Sequence, residues 1–483
     1  MNPVYVFLVL SGYFGVLLFI SHLTSRQAGA DTYFTGNRSS PWYVVAFGMI
    51  GSSLSGITFI SVPGMVGNGN FHYFQLVLGY LVGYGVIAGV LLPLYYRLKL
   101  VSIYGYLAQR FGFYSHKAGS LFFLLSQSIG AALRLFVVTE VLQLTFFDHF
   151  HVPFIVTILI TLILIWAYTR KAGIKTIVWT DIFQTTVMLL AAGGIFLVCI
   201  DLLGLSAAGL VGAIRQHPYS TVFNWDWHHE SYFFKQFVSG ALVAIAMNGL
   251  DQNEMQKSLT CRNLSDARKN IILYSVILVV TNLVFLSLGV LLYLVVQQQG
   301  IVLPITRDGA YAATDQLFPM LSMQHLGLVA GFLFLLGTAS AAFSSADSAL
   351  AALTTAYCKD FTNEASRSEA DRIRLRMRVN FVISAFIVLL ILIFRAINDV
   401  SVVHLVYTIA GYTYGPLLGL FVFGLFTRWQ VRDRWVPLVC VVSSGLSYGI
   451  NAYSLPAWGI DLGYTVLLVN ALITFGGLWT IRK

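Results

Sequence analysis

Residues 337–348 read Gly-Thr-Ala-Ser-Ala-Ala-Phe-Ser-Ser-Ala-Asp-Ser. Ser340, Ser344, Asp347 and Ser348 stand at offsets 0, 4, 7 and 8, which places them on one helical face. A stripe of hydroxyls with one carboxylate offers oxygen ligands to a small hard cation such as sodium. An isolated helical serine usually bonds back to the i−4 carbonyl and packs; a carboxylate on the same stripe argues for more. A second oxygen-rich stretch is residues 51–64, with three glycines, one proline and five hydroxyl residues inside an apolar run. It is either a small-residue packing surface or a broken helix. Unwound backbone at membrane depth survives where it binds an ion or lines a wet cavity. In the broken form Gly51 and Leu54 offer carbonyls to a cation, and Ser53, Ser55 and Thr58 offer hydroxyls to a solute.

Residues 247–256 form a second interruption, Met-Asn-Gly-Leu-Asp-Gln-Asn-Glu-Met-Gln, with Asn248 as a further solute candidate. Ionisable side chains inside apolar runs are costly and point to function; the deepest are Arg134, Glu140, Asp181 and Asp347. Arg134 either binds a solute anion or forms an ion pair with Glu140 or Asp181. Asp181 is an interface residue, an ion ligand or a gate. His149, His151, His228 and His229 fall in expected outer loops, where surface histidines are the common case. Cys199, Cys261, Cys358 and Cys440 match neither a zinc site nor a disulfide framework, so no transition metal is expected. No nucleophile–base pair, phosphate loop or metalloprotease pattern is present, and no enzyme activity is expected.

The elements that position these residues are membrane spans. Of 483 residues, 57% are hydrophobic and 10% charged, against about 25% charged in soluble domains. The net charge of +9 does not indicate nucleic acid, because the basic residues are scattered in short loops. Apolar runs predict thirteen helices, near 3–23, 41–67, 72–96, 119–147, 152–169, 176–200, 234–252, 270–296, 325–357, 379–397, 402–426, 435–453 and 462–480. The first is read as a retained helix, not a cleaved leader. Most of the 29 Lys and Arg fall in loops on one side. The N-terminus is therefore expected outside and the C-terminus in the cytoplasm of a cell-membrane protein. Residues 97–117 read as an interfacial cytoplasmic segment, with Tyr104, Tyr106 and Phe111 beside basic residues. Residues 204–232 form the longest outer loop, placed to cover an entrance. Interrupted helices five spans apart point to an inverted repeat, spans 2–6 and 7–11, in a single transmembrane domain.

Together these segments resemble the sodium:solute symporter family, whose members have the LeuT fold with an extra leading helix. Residues 53–63 resemble its first core helix; Trp179, Thr180, Asp181 and Gln184 its Trp-Thr-Asp-x-x-Gln segment; residues 251–262 the end of its sixth; residues 337–348 its eighth; and Gly415, Pro416 and Gly424 its tenth. The branches most alike carry sialic acid, iodide and vitamins. The resemblance implies a sodium site made by the Gly51, Leu54 and Gly337 carbonyls and Ser340, with Ser344 and Asp181 remaining as further ligands. Ala341 stands where the family has another hydroxyl, and Phe343 where some members use a serine for a second sodium, so one sodium per solute is expected. In the sialic-acid branch an arginine of the third core helix binds the solute carboxylate, and Arg134 matches it. Ser55 and Thr58 match hydroxyls that touch solute there, and Gln75 is a further candidate. The reading is a sodium-coupled importer of a small polar or anionic solute, working by alternating access, with no cofactor beyond the co-transported ion and no obligate protein partner. Its rivals are proton coupling through Asp181 or Asp347, and a membrane solute sensor.

Overall fold

The structure is a computed structural model. It describes the chain except residues 1–2, 26–31, 170–172, 307–308, 313, 363, 398–401 and 459–461. Among the described residues ten helices are long and apolar enough to cross a membrane, two bent pairs add two broken spans, and one apolar helix is shorter. In chain order they are α1 (Pro3–Ser25), the pair α2 (Trp42–Ser53) and α3 (Gly56–Gly69), α4 (Tyr73–Arg97), α5 (Phe113–Thr145), the shorter α6 (Phe154–Thr169), α7 (Ile174–Leu202), the pair α8 (Phe233–Gly249) and α9 (Gln252–Ser258), α10 (Leu264–Gln299), α11 (Gly327–Phe361), α12 (Glu369–Ile397), α13 (Val402–Phe426), α14 (Val436–Trp458) and α15 (Val466–Thr480). These follow the order expected from the apolar runs, and the two breaks fall in the second and seventh positions. Large apolar side chains such as Leu190 and Leu197 on α7 and Phe381 on α12 are exposed, as a lipid-facing surface requires.

The first break has a local cause. Helical bonding ends where Leu54 N–H reaches the Ile50 carbonyl at 2.8 Å and resumes with Phe59 N–H to Ser55 at 3.0 Å. Between them Leu54 (φ −81°, ψ 73°) and Ser55 (φ −61°, ψ 167°) leave the helical region, and the axis turns by 60°. Pro63 sits inside α3 rather than at the break. The second break follows a π-helical turn over Ile245–Gly249. Leu250 then departs from helical geometry, and the Asp251 side chain accepts the Asn253 N–H at 2.6 Å, capping α9 after a 71° bend.

The two halves meet closely where α4 crosses α8. A Cβ on Gly79 would strike the Phe237 carbonyl, and one on Gly240 the Leu76 carbonyl, so this seam needs glycine on both sides. The expectation for residues 97–117 is corrected in part. Tyr104 and Tyr106 are buried, not interfacial. Tyr104 donates to the Leu250 carbonyl at 2.9 Å, because the second break frees a carbonyl that only protein can satisfy there.

Candidate functional site

The first break lies against α11 and α7. Gly51 N–H donates to Thr185 Oγ1 at 3.0 Å, and Thr185 Oγ1 reaches the Gly48 carbonyl at 3.3 Å. A Cβ on Gly51 would also press on Ser344 Oγ, one on Gly56 on Ala342, and one on Gly337 on Phe59. Small residues thus let the unwound segment approach the serine-bearing face of α11. The Ser52 carbonyl, out of the helical ladder, accepts Ser345 Oγ at 2.7 Å. Ser340 is fully buried, and its hydroxyl has no hydrogen-bond partner among the described residues. Tyr13 of α1 lies close to both Ser340 and Gln184 of α7, but none of the three polar ends reaches a partner at full hydrogen-bond geometry. A buried hydroxyl without a partner costs about 1–3 kcal/mol, so this pocket of oxygens has capacity for a ligand.

Other oxygens given to sodium by the sequence have protein partners. Asp181 Oδ1 accepts Ser344 Oγ at 2.6 Å, and Oδ2 pairs with Lys257 Nζ at 2.7 Å. Both ions of that pair are about 1% exposed. The second carboxylate, Asp347, accepts Tyr168 OH at 2.8 Å and Ser348 Oγ at 3.1 Å. Phe343 is buried beside α1, its ring edge-on to Phe14 at 4.9 Å.

The other side of the first break borders a cavity of about 130 Å³. Ser53, Ser55, Thr58, Arg134 and Asn248 all line it, with Gln127, Asp251, Asn253, Glu254, Tyr274 and Asn282. Arg134 has neither an ion pair nor a hydrogen bond among the described residues. Asp181 is taken by Lys257, and Glu140 has Arg395 as its basic neighbour. Of the two roles open to Arg134, the ion pair with Glu140 or Asp181 is not formed. The carbonyls of the second break are already occupied: Gly249 by Tyr95 OH at 2.8 Å and Leu250 by Tyr104 OH. Ion-binding backbone is therefore to be sought at the first break.

Gln75 lies outside this lining. Its amide donates to the Ser231 carbonyl at 2.9 Å and accepts the Asn224 N–H at 3.1 Å. With Phe71 N–H on the Thr221 carbonyl at 3.2 Å, it fastens the segment of residues 221–231 over the ends of α3 and α4. Gln75→Ala should release that loop, lowering stability by about 1–3 kcal/mol and speeding proteolysis near residues 224–231, with solute affinity nearly unchanged. A large affinity loss with an intact loop would return Gln75 to the solute site.

Asp251, Glu254 and Tyr274 line the cavity and Lys257 pairs with Asp181, though none of the four is singled out from the sequence. For Asp251, Glu254 and Lys257 the signal lies in the ionisable side chains of residues 247–257, next to an apolar run that ends near 252. The chain instead bends and continues as α9, whose seven residues are all buried.

Comparison with known proteins bears on the family and the fold. The model of the sodium:solute symporter family matches residues 33–431. The human sodium/iodide cotransporter is 26% identical over 427 residues, 85% of this chain but 64% of that protein's length. The sodium/sialic acid symporter SiaT of Proteus mirabilis is 23% identical over 431 residues, 87% of this chain and 84% of that one. In fold, a substrate-bound, outward-open Na+-coupled sialic acid symporter superposes with a TM-score of 0.80 at 20% identity, covering 99% of this chain and 98% of that one.

Proposed function

Because this chain belongs to the sodium:solute symporter family, we propose that it imports a small polar or anionic organic solute by sodium-coupled alternating access. Sodium is held by the carbonyls of Gly51, Leu54 and Gly337 and by the Ser340 hydroxyl. Ser344 and Asp181 join as ligands when Lys257 withdraws from the carboxylate. The solute occupies the cavity beside them, touching Ser53, Ser55, Thr58 and Asn248, with its anionic group on Arg134. The protein works as a multi-pass element of the cell membrane, N-terminus outside, C-terminus cytoplasmic, without a cofactor or an obligate protein partner, and makes no chemical change to its cargo.

The observation that carries this reading is a shared wall. Residues 52–55 are the break that faces α11 on one side, and they line the solute cavity on the other. A cation that fixes the break fixes the cavity wall, so each ligand favours the conformation that the other prefers. That is the requirement for coupling. An inward sodium gradient supplies the work, and each charge moved adds about 2.3 kcal/mol per 100 mV of membrane potential.

The test is uptake by proteoliposomes with imposed sodium, lithium or proton gradients, across labelled sugars, sialic acids, monocarboxylates and amino acids. Concentrative uptake that needs inward sodium is expected. A second reading, proton coupling, is favoured by one observation: Asp347 is buried on two hydroxyls with no basic side chain in contact among the described residues. Accumulation under a proton gradient in sodium-free medium would establish that reading instead.

A further inference from the structure

The scheme above gives no task to the carboxylate of Glu254. It stands on α9, is 4% exposed, and lines the solute cavity. Among the described residues no lysine, arginine or histidine nitrogen reaches ion-pairing distance of it. Lys257, on the same short helix, is committed to Asp181. Its contacts are polar and long: Ser52 Oγ at 3.4 Å from Oε1, Ser53 Oγ at 3.4 Å from Oε2, and Asn253 Nδ2 at 3.2 Å from Oε1. A hydroxyl that donates to a carboxylate closes to about 2.5–2.7 Å. Both serines have shorter contacts elsewhere, Ser52 with the Met49 carbonyl at 3.1 Å and Ser53 with Tyr274 OH at 2.5 Å.

Such spacing is that of ligands around an ion. Oxygens held about 2.3–2.6 Å from a hard cation, as calcium's are, lie roughly 3.4 Å apart when they subtend a right angle. Lys257 and Arg134 act on this carboxylate only from beyond ion-pairing distance. A carboxylate at membrane depth with no cation in contact is costly, and the buried Asn253 Oδ1 next to it has no partner among the described residues. We propose that Glu254, with the Ser52 and Ser53 hydroxyls, seats a compact monovalent cation between the two broken helices. The cation is either a sodium ion or the ammonium group of the solute. In the second case Arg134 holds the other pole, and the solute is a zwitterion. Either cation ties the end of α2 to α9 and so orders both breaks together. With the ammonium the count stays at the one sodium per solute expected from Phe343; with the ion it becomes two. The inference rests on the transport reading for its purpose, but its measurement is of binding alone.

The test is the melting temperature of the purified full-length protein in N-methylglucamine chloride, titrated with sodium chloride. At saturating sodium it is then titrated with proline or alanine, and with acetate or lactate as controls. If the cation is sodium, the solute-free titration contains a component whose apparent affinity falls more than tenfold in Glu254→Gln, separate from the component lost in Ser340→Ala. If it is an ammonium, the two sodium titrations coincide, and the amino acids raise the melting temperature of the wild type but not of Glu254→Gln. Glu254→Asp, which keeps the charge one methylene back, should keep a weakened response, and it substitutes as the reporter if the glutamine variant does not fold. A Glu254 variant that follows the wild type in every titration, including the case where neither responds, overturns the site. A Ser340→Ala titration that superposes on the wild type counts against the transport reading and leaves the Glu254 component standing.

Discussion

Lys257→Met should destabilise the protein by about 3–5 kcal/mol, the cost of leaving one member of a buried ion pair alone. The pair is Lys257 with Asp181 at 2.7 Å, and both are about 1% exposed. Methionine keeps most of the length and volume of the lysine, so the loss comes from the charge and not from a cavity. Asp181 would be left with Ser344 Oγ as its partner. Adding Asp181→Asn should restore most of the stability, because replacing both ions of a buried pair is often neutral. Thermal melts of the two single variants and the double variant measure this directly. Additive losses in the double variant would mean that the two side chains act independently, and the pairing would be wrong.

Arg134→Ala should act in the opposite way, with a small effect on the melt and a large one on solute binding. No carboxylate among the described residues forms an ion pair with this guanidinium. Asp251 and Glu254 share its cavity and feel its charge only at longer range, so its removal costs less than breaking a buried pair. If it holds the anionic group of the solute, its loss costs about 2–5 kcal/mol of affinity, which is roughly thirtyfold or more. Arg134→Lys should recover little, because an ammonium cannot reproduce two parallel N–H bonds to a carboxylate. Affinity for the transported solute, measured at saturating sodium, checks this. A strongly destabilised Arg134→Ala rescued by Glu140→Gln would show a structural ion pair instead. An anionic solute bound equally well by Arg134→Lys would remove the guanidinium from recognition.

The spans and both breaks were legible in the sequence because their causes are local. Apolar runs of membrane length, glycines and hydroxyls inside a run, and a capping aspartate after Asn-Gly each act over a few residues. The serine face of α11 was legible for the same reason, since helical periodicity fixes which residues share a face. It does not fix what lies opposite. The pairing of Ser344 with Asp181, and of Asp181 with Lys257, joins residues 163 and 76 positions apart, and spacing along one helix carries no sign of it. Gln75 shows the same limit: a polar side chain in an apolar run suggests a solute ligand, but its amide is used by a loop about 150 residues further on. Glu254 and Lys257 are not singled out by the sequence, because a bent span has no marker for where its second half ends.

The central claim is that the first break and α11 hold the driving sodium through Ser340. It is tested most directly by the sodium dependence of solute uptake in proteoliposomes containing wild type or Ser340→Ala. Removing one oxygen from a small cage should raise the half-saturating sodium concentration about tenfold, equivalent to about 1.4 kcal/mol, while uptake at saturating sodium stays near the wild-type level. Superimposable sodium titrations of the two proteins would contradict the assignment.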